Sequence, residues 1–558
     1  MKKIKKYLKE LYPGEYDRTF KKLREIIRDF NKENSVKAEK NDWFFSEKDI
    51  MLICYADHVQ ESGQKTLKTM HKFLQEFAKD IISRVHFLSF YPYSSDDGFS
   101  VIDYYSVNEP YGDWQDLGPI SKDFDLMFDC VANHASVKSE WFIKFLAGDP
   151  FYKDFFIAFR EPIDTSRIFR PRAAPLLTPF KTKLGEKYVW TTFSDDQADL
   201  NFSNPEVFLE MVKILLFYVS RGAAAIRLDA VAYAWKKLGT SCFDLPQAHI
   251  LVKAFREVFN KAAPHVWLIT ETVLPHKENI SYFGNGHDEA HLIYNFQLET
   301  LLLHTMLTED ADLAAGQLKK IKPKTKNTNF LNLCVSQDGV HTIPSKGILS
   351  KQQVQAIIDD CLNKGGKVLN RDAGKGKTKI YEINITYPSA VGGIEKYLAS
   401  QAIQLALRGI PLIYFNNLIG ADNWSKGVEK PGYSRAINRE RFDYKFLVNE
   451  LRDPNSKKHK IYTGYKKLLK ARINEPLFSP LAGQEIITLD PRVMAIKRYK
   501  GEKILMALTN VSDQKVKIKA AKLQKIFKAK TVKDIINKQK LTIDSDLVFG
   551  PYNTKWLK

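Results

Sequence analysis

Three acidic residues could do chemistry by virtue of their neighbours. Arg227 and Asp229 stand two positions apart in the apolar run Ala225-Ile226-Arg227-Leu228-Asp229-Ala230, so on a strand both side chains leave the same face. A guanidinium beside a carboxyl favours the ionised form, which is the state a carboxylate nucleophile needs. Glu271 ends a second apolar run, Ile269-Thr270-Glu271-Thr272, where a nearby anion and a drier wall suit it to hold the proton a general acid delivers. Asp338 follows a third run in Ser336-Gln337-Asp338-Gly339. Two facing carboxyl groups are what glycosidic-bond chemistry requires: one attacks the anomeric carbon, the other protonates the leaving oxygen and later deprotonates the acceptor. A single aspartate of this kind is more often a helix cap or half of a buried ion pair. Three of them at the ends of apolar runs favour the catalytic reading.

The elements that must carry these residues are eight short apolar runs, at 51–57, 84–90, 125–131, 224–231, 266–273, 292–296, 330–336 and 411–418. They do not alternate in polarity, which indicates strands buried on both faces, and amphipathic patterns such as 65–82 and 395–407 separate them. Eight buried strands alternating with helices predict an α/β fold, a (β/α)8 TIM barrel, whose active site collects at the carboxyl-terminal strand ends. The third and fourth runs are about 100 residues apart, whereas one strand-helix unit needs roughly 30 to 45. An inserted small domain is therefore expected at 135–197, a proline-rich stretch without helical period, and further rim loops at 339–389. Short alternating runs at 493–499, 504–510, 516–520 and 541–548 predict a C-terminal antiparallel β-domain over 476–558. Residues 1–45 read as a basic, mostly helical lead-in, leaving 46–134 and 198–475 for the barrel.

The 558 residues are 44% hydrophobic and 27% charged, ordinary globular proportions that exclude a disordered or fibrous chain. No run is long enough to cross a membrane, and residues 1–16 lack an apolar signal core, so a cytoplasmic location is expected. The formal charge of +20, from 85 Lys and Arg against 65 Asp and Glu, raises the question of a polyanionic partner. The excess sits in lysine-rich flanks without interleaved aromatics, so a solvated surface is expected and no nucleic-acid partner. Cys54, Cys130, Cys242, Cys334 and Cys361 form no CxxC pair and read as reduced, largely core residues.

Asp129 to His134 (DCVANH), Ala225 to Val231 (AIRLDAV), Ile269 to Thr272 (ITET), Ser336 to Gly339 (SQDG) and Gln197 to Asn201 (QADLN) resemble, in order and spacing, the conserved regions of the α-amylase clan of glycoside hydrolases, family 13. Within it the chain resembles the sucrose phosphorylase-like group. The blocks SSDDGFSVIDY (94–104), RPRAAPLLTPF (170–180), WTTFSDDQADLN (190–201) and GYSRAINRE (432–440) are most similar to glucosylglycerate phosphorylases. That resemblance implies Asp229 as nucleophile, Glu271 as acid/base and Asp338 as transition-state stabiliser, with Arg227 orienting the nucleophile. It implies that Asp129, Asn133 and His134 shape the glucosyl subsite, with Asp57, Tyr104 and Arg439 around it. The implied reaction is retaining phosphorolysis of a small α-glucoside, best matched by 2-O-α-glucosylglycerate, giving α-glucose 1-phosphate without cofactor or metal. The partners are then the glucoside and inorganic phosphate, and the assembly a monomer or homodimer.

The chain departs from the group at three places. Gln337 stands where the pattern has His, and a neutral amide cannot carry charge. Gly420 to Trp424 replace Gly-Ser-Arg-Asn-Asp, putting Asp422 where relatives have Arg, and His341 and Thr342 replace a glycine and a small apolar residue. Sucrose 6-phosphate or glucosylglycerol as substrate, an α-glucosidase or transglucosidase activity, and a catalytically impaired paralogue therefore remain as alternatives. Phosphate and glycerate are anions, so cations are expected at the mouth, and Arg435, Arg170, Arg172, Lys430 and His341 are the candidates. The HDEAH segment (287–291) and GKGKT (374–378) imitate a metal pair and a phosphate loop but lack the spacing of either.

Overall fold

The computed structural model describes residues 1–34, 45–374, 376–429 and 433–558. All eight expected runs are barrel strands: β1 Met51–Cys54, β2 Arg84–Phe87, β3 Asp125–Val131, β4 Ala223–Asp229, β5 Trp267–Thr270, β6 Leu292–Tyr294, β7 Asn329–Asn332 and β8 Ile410–Tyr414. Each pairs in parallel with its neighbours in chain order, and β8 returns to β1 to close the barrel. Every residue of β1, β5, β6, β7 and β8 is buried, between the barrel interior and the outer helices, which is why these strands are largely apolar and do not alternate. The expected helices form at Thr66–Phe77 and Ile394–Ala406. Several strands end before the expected runs do. β5 stops at Thr270 and β7 at Asn332, leaving Glu271 and Asp338 in the loops that follow.

Two excursions stand over the carboxyl-terminal end. After β3, His134–Ser136 pairs antiparallel with Gln197–Asp199, and between them lies a sheet of Ala158–Phe159, Gly185–Trp190 and Leu177–Thr182. After β7, the helix Lys351–Asn363 leads into a hairpin of Lys367–Asp372 and Thr378–Asn384, whose second strand pairs with Val340–His341. A Cβ on Gly339, φ +96°, would lie 2.3 Å from the Ile383 carbonyl oxygen, so only glycine lets this hairpin close against the residue after Asp338. The excursions touch each other through the ion pair of Arg170 with Asp372.

At the amino terminus, helices Lys2–Leu11 and Tyr16–Glu33 bury Ile4, Leu8 and Leu23 in the main core, and the first packs on helix Pro246–Ala262. At the other end a six-stranded antiparallel sheet has its own apolar centre around Met506, Leu508 and Phe549. The run expected at 541–548 is two strands, Gln539–Thr542 and Leu547–Phe549, because the polar Asp544, Ser545 and Asp546 bend the chain between them. The helix Ala520–Phe527, in this region, was not foreseen. Among the described residues, no helix is long and apolar enough to cross a membrane.

Candidate active site

The barrel register brings the acidic residues together. Asp129 on β3 and Arg227 on β4 are opposite each other, and Arg227 Nη1 donates to Asp129 Oδ1 at 2.6 Å and to Asp229 Oδ1 at 2.7 Å. The other nitrogen, Nη2, lies 3.8 Å from Glu271 Oε2, so one guanidinium spans both carboxyl groups of the expected pair. Glu271 Oε2 also accepts from the Ala230 N–H at 3.1 Å. Ala230 has φ 49°, a left-handed conformation costly for a residue with a Cβ, and that turn carries its N–H to Glu271 directly after Asp229. Burial pushes the Asp229 carboxyl well above the usual carboxylate range; Arg227 opposes this, and Glu271, Asp129 and Asp338 reinforce it. Arg227 thus acts in the expected direction, toward the ionised carboxylate, and burial outweighs it. Burial also raises Asp129, but Arg227 and His86 outweigh it and hold that carboxyl low.

Asp338 has the opposite balance. Burial raises its carboxyl, yet Arg435 (Nη1 to Oδ1, 2.9 Å) and Arg439 (Nη2 to Oδ1, 3.1 Å) hold it well below the usual range. Gln337 Nε2 donates to Asp338 Oδ2 at 3.0 Å, so this amide occupies itself with the neighbouring carboxylate. Arg439 further binds Asp97 Oδ2 at 3.0 Å and Asp96 Oδ1 at 3.2 Å. Those aspartates sit in a tight turn with φ 51° and 50°, tolerated because aspartate is among the residues that visit this region. The turn closes on Gly98, where a Cβ would lie 2.0 Å from the Ser89 carbonyl oxygen.

Asp229, Glu271, Asp338, Gln337 and His134 line one solvent-open cavity, together with Arg172, Tyr381 and His341 from the two excursions and Arg435 from the segment after β8. His134 is buried, which lowers its pKa and keeps the ring neutral, and its Nε2 lies 2.8 Å from the Phe99 carbonyl. Asn133 accepts from Lys236 Nζ at 2.7 Å and donates to Asp199 Oδ2 at 3.0 Å. Lys236 also binds Asp199 and the Tyr233 carbonyl, tying the β3 loop, the first excursion and the β4 loop to one ammonium.

The α-amylase catalytic-domain family matches residues 76–337. A glucosylglycerate phosphorylase of Spirochaeta thermophila is 44% identical over 83% of this chain and 80% of its own length, and one of Escherichia coli is 36% identical with 100% of both chains covered. The chain belongs to the glucosylglycerate phosphorylase family. The solved structure of the sucrose 6F-phosphate phosphorylase from Thermoanaerobacter thermosaccharolyticum shares the fold, with a TM-score of 0.75 at 24% identity over 90% of this chain and 98% of that one.

Against the glucosylglycerate phosphorylase pattern, several expected residues stand apart from the cavity wall. Tyr104 donates to the carbonyls of Val131 (3.0 Å) and His134 (2.8 Å) and stacks on Trp141, so it braces the β3 loop from behind. Asp57 accepts from Arg441 Nε at 2.8 Å. Arg170 is taken up by Asp372 and the carbonyls of Ala173 and Ala174. Asp422 points to solvent with Lys457, because the loop turns it outward, and Asn423 instead binds Thr386 N and the Lys364 carbonyl at 3.0 Å each. Lys430 lies outside the described residues. Arg435 is engaged on all sides, with Nε 2.6 Å and Nη2 2.9 Å from the two oxygens of Glu382. Arg172 faces the rings of Phe193 and Tyr381 at 5.5 and 5.6 Å and has no carboxylate within salt-bridge distance among the described residues. Sequence reasoning missed Asp96, Asp97, Glu382 and Arg441. A signal existed for the first two, since Asp-Asp-Gly after a barrel strand marks a left-handed turn aimed at the mouth. In the HDEAH segment, Glu289 is held by His249 at 2.8 Å.

Proposed function

We propose that this protein is a retaining α-glucoside phosphorylase that transfers glucose from 2-O-α-glucosylglycerate to inorganic phosphate. The observation that carries the reading is the single guanidinium of Arg227 reaching both Asp229 and Glu271 at the floor of the cavity. The named activity of relatives 36% and 44% identical supports the choice of substrate.

In the first step a carboxylate oxygen of Asp229 attacks C1 of the glucosyl unit from the face opposite the leaving group. The C1–O bond breaks, and Glu271 passes its proton to the glycerate oxygen. Asp338, kept ionised by Arg435 and Arg439, is suited to stabilise the positive charge that develops on the ring. In the second step a phosphate oxygen attacks C1, the ester to Asp229 breaks, and the Glu271 carboxylate takes the phosphate proton. Two inversions return the α configuration. Arg227, hydrogen-bonded directly to Asp229, opposes the effect of burial there and stabilises the attacking carboxylate. Arg172 is the cation with which the rim would hold phosphate or the glycerate carboxylate. The five cysteines are buried and unpaired, which suits a reducing cytoplasm.

Incubation with glucosylglycerate and phosphate should yield α-glucose 1-phosphate and glycerate. Product from sucrose 6-phosphate or glucosylglycerol alone would change the substrate and keep the mechanism. Free glucose released equally fast without phosphate would make the protein a hydrolase and end the proposal.

A further inference from the structure

Behind the rim runs a buried row of alternating charges. Glu299, on helix Gln297–Thr308, is fully buried and uses one oxygen, Oε2, to accept from both the His341 N–H (2.8 Å) and the His341 ring Nδ1 (3.1 Å). The ring's other nitrogen, Nε2, lies 3.9 Å from Glu382 Oε2 on the hairpin strand. Glu382 grips Arg435 with both oxygens, and Arg435 Nη1 reaches Asp338 Oδ1 at 2.9 Å. The order is therefore carboxylate, imidazole, carboxylate, guanidinium, carboxylate, from a barrel helix to the cavity.

The row works only if its imidazole is charged. Glu299 Oε1 has no hydrogen-bond partner among the described residues, and Glu299 and Glu382 are both fully buried. Glu382 has Arg435, but Glu299, whose carboxyl burial pushes up and His341 pulls back down, would have no cation beside a neutral ring, and a buried charge without a partner is costly. The rings of Phe296 and Tyr381 close the remaining sides at 5.0 and 6.2 Å. The titratable groups facing His341 are thus Glu299 from the helix, Glu382 from the hairpin and Asp338 from its own loop.

We propose that His341 is a positioning residue whose positive charge holds Glu382 in place and, through Glu382 and Arg435, fixes Asp338 for the transition state. The proposal rests on the role of Asp338 in the reaction above. Burial lowers the His341 pKa, but Glu299, Glu382 and Asp338 outweigh it and push it up to about 9, against roughly 6.5 for an unperturbed histidine. The row therefore stabilises the fold fully below pH of about 6.5 and loses that contribution as pH rises through about 9.

The test reads one group in two ways on the full-length chain. The NMR signal of the histidine lost in His341→Gln should titrate near pH 9 in the wild type and at least one unit lower in Glu299→Gln. In phosphorolysis, the alkaline limb of kcat should follow that titration in both proteins, while KM for the glucoside changes less than threefold. A His341 that titrates below pH 7, or a limb that stays in place when the titration moves, overturns the proposal. The titration needs no turnover, so a protein inactive on glucosylglycerate would refute the assigned activity and leave the charge row to be judged by the titration alone.

Discussion

The floor and the rim of the cavity are built in different ways. At the floor, Asp129, Arg227 and Asp229 lie within the last three residues of β3 and β4 and Glu271 one residue beyond β5, and the register that pairs Arg227 with Asp129 fixes them. At the rim, Arg172, Tyr381, Glu382 and Arg435 belong to segments far apart in sequence that meet only when the excursions close over the barrel. The floor is thus determined by local sequence and barrel geometry, the rim by long-range charge pairing. Substitutions at the floor should stop the chemistry without loosening the fold, and those at the rim should alter which anion is held and how tightly.

Asp229→Asn gives the largest expected effect. Loss of the attacking carboxylate should lower kcat by on the order of 10⁴-fold or more, and Glu271→Gln by about 10² to 10⁴-fold. Stability should behave differently. The folded carboxyl of Asp229 is raised, so its stabilising contribution is present below the unfolded value near 3.9 and is lost as pH rises through the folded one. At pH 8 the amide variant should melt no lower than the wild type; a clearly lower Tm would mean that the floor holds the fold together as well as performing the reaction.

Lys236→Met sharpens the comparison at the seam between floor and rim. The substitution leaves Asp199, fully buried, without its ammonium and releases the β3 loop from the β4 loop. A cost of about 3 to 5 kcal/mol is expected in denaturant unfolding, as for other buried ion pairs that lose one partner. A change under about 1 kcal/mol would show that the seam is held elsewhere.

This difference in construction is also why the two regions were unequally legible in the sequence. Burial on both faces writes each barrel strand as an unbroken apolar run, so β4 and the residues it carries can be read from sequence alone. Glu382 sits in Ile380-Tyr381-Glu382-Ile383, which reads as an ordinary alternating strand, and nothing local announces that its partner is Arg435, 53 residues on. In the block containing Tyr104, the aspartates Asp96 and Asp97 make the contacts to Arg439 while Tyr104 supports the loop behind. His341 stood out in sequence as an unusual cation; that it is clasped by Glu299 depends on a helix 42 residues earlier.

Arg172→Ala tests the rim itself. Its guanidinium rests against Phe193 and Tyr381 and, among the described residues, has no carboxylate within salt-bridge distance, so it is a rim arginine available to an incoming oxyanion. A charge-assisted bond contributes about 1.5 to 3 kcal/mol, which corresponds to KM for phosphate rising roughly 10- to 100-fold. Glucosyl transfer at saturating phosphate should fall much less. Equal losses in kcat and kcat/KM would instead move Arg172 from binding anions to stabilising the transition state.

The smallest effect is expected where the sequence departs most visibly from its relatives. Asp422 is 62% exposed and pairs with the exposed Lys457, an arrangement that contributes about 0 to 1 kcal/mol in solvent. Its neighbour Asn423 does the structural work of that loop, holding Thr386 and Lys364 beneath the second excursion. Asp422→Ala should therefore leave both KM values within twofold and unfolding within about 0.5 kcal/mol. Asn423→Ala should cost about 1 to 3 kcal/mol by orphaning buried backbone groups. If Asp422→Ala raised KM for glucosylglycerate severalfold, the loop after β8 would have to swing inward during turnover, and the rim would extend further round the barrel than Arg172, Tyr381 and Arg435.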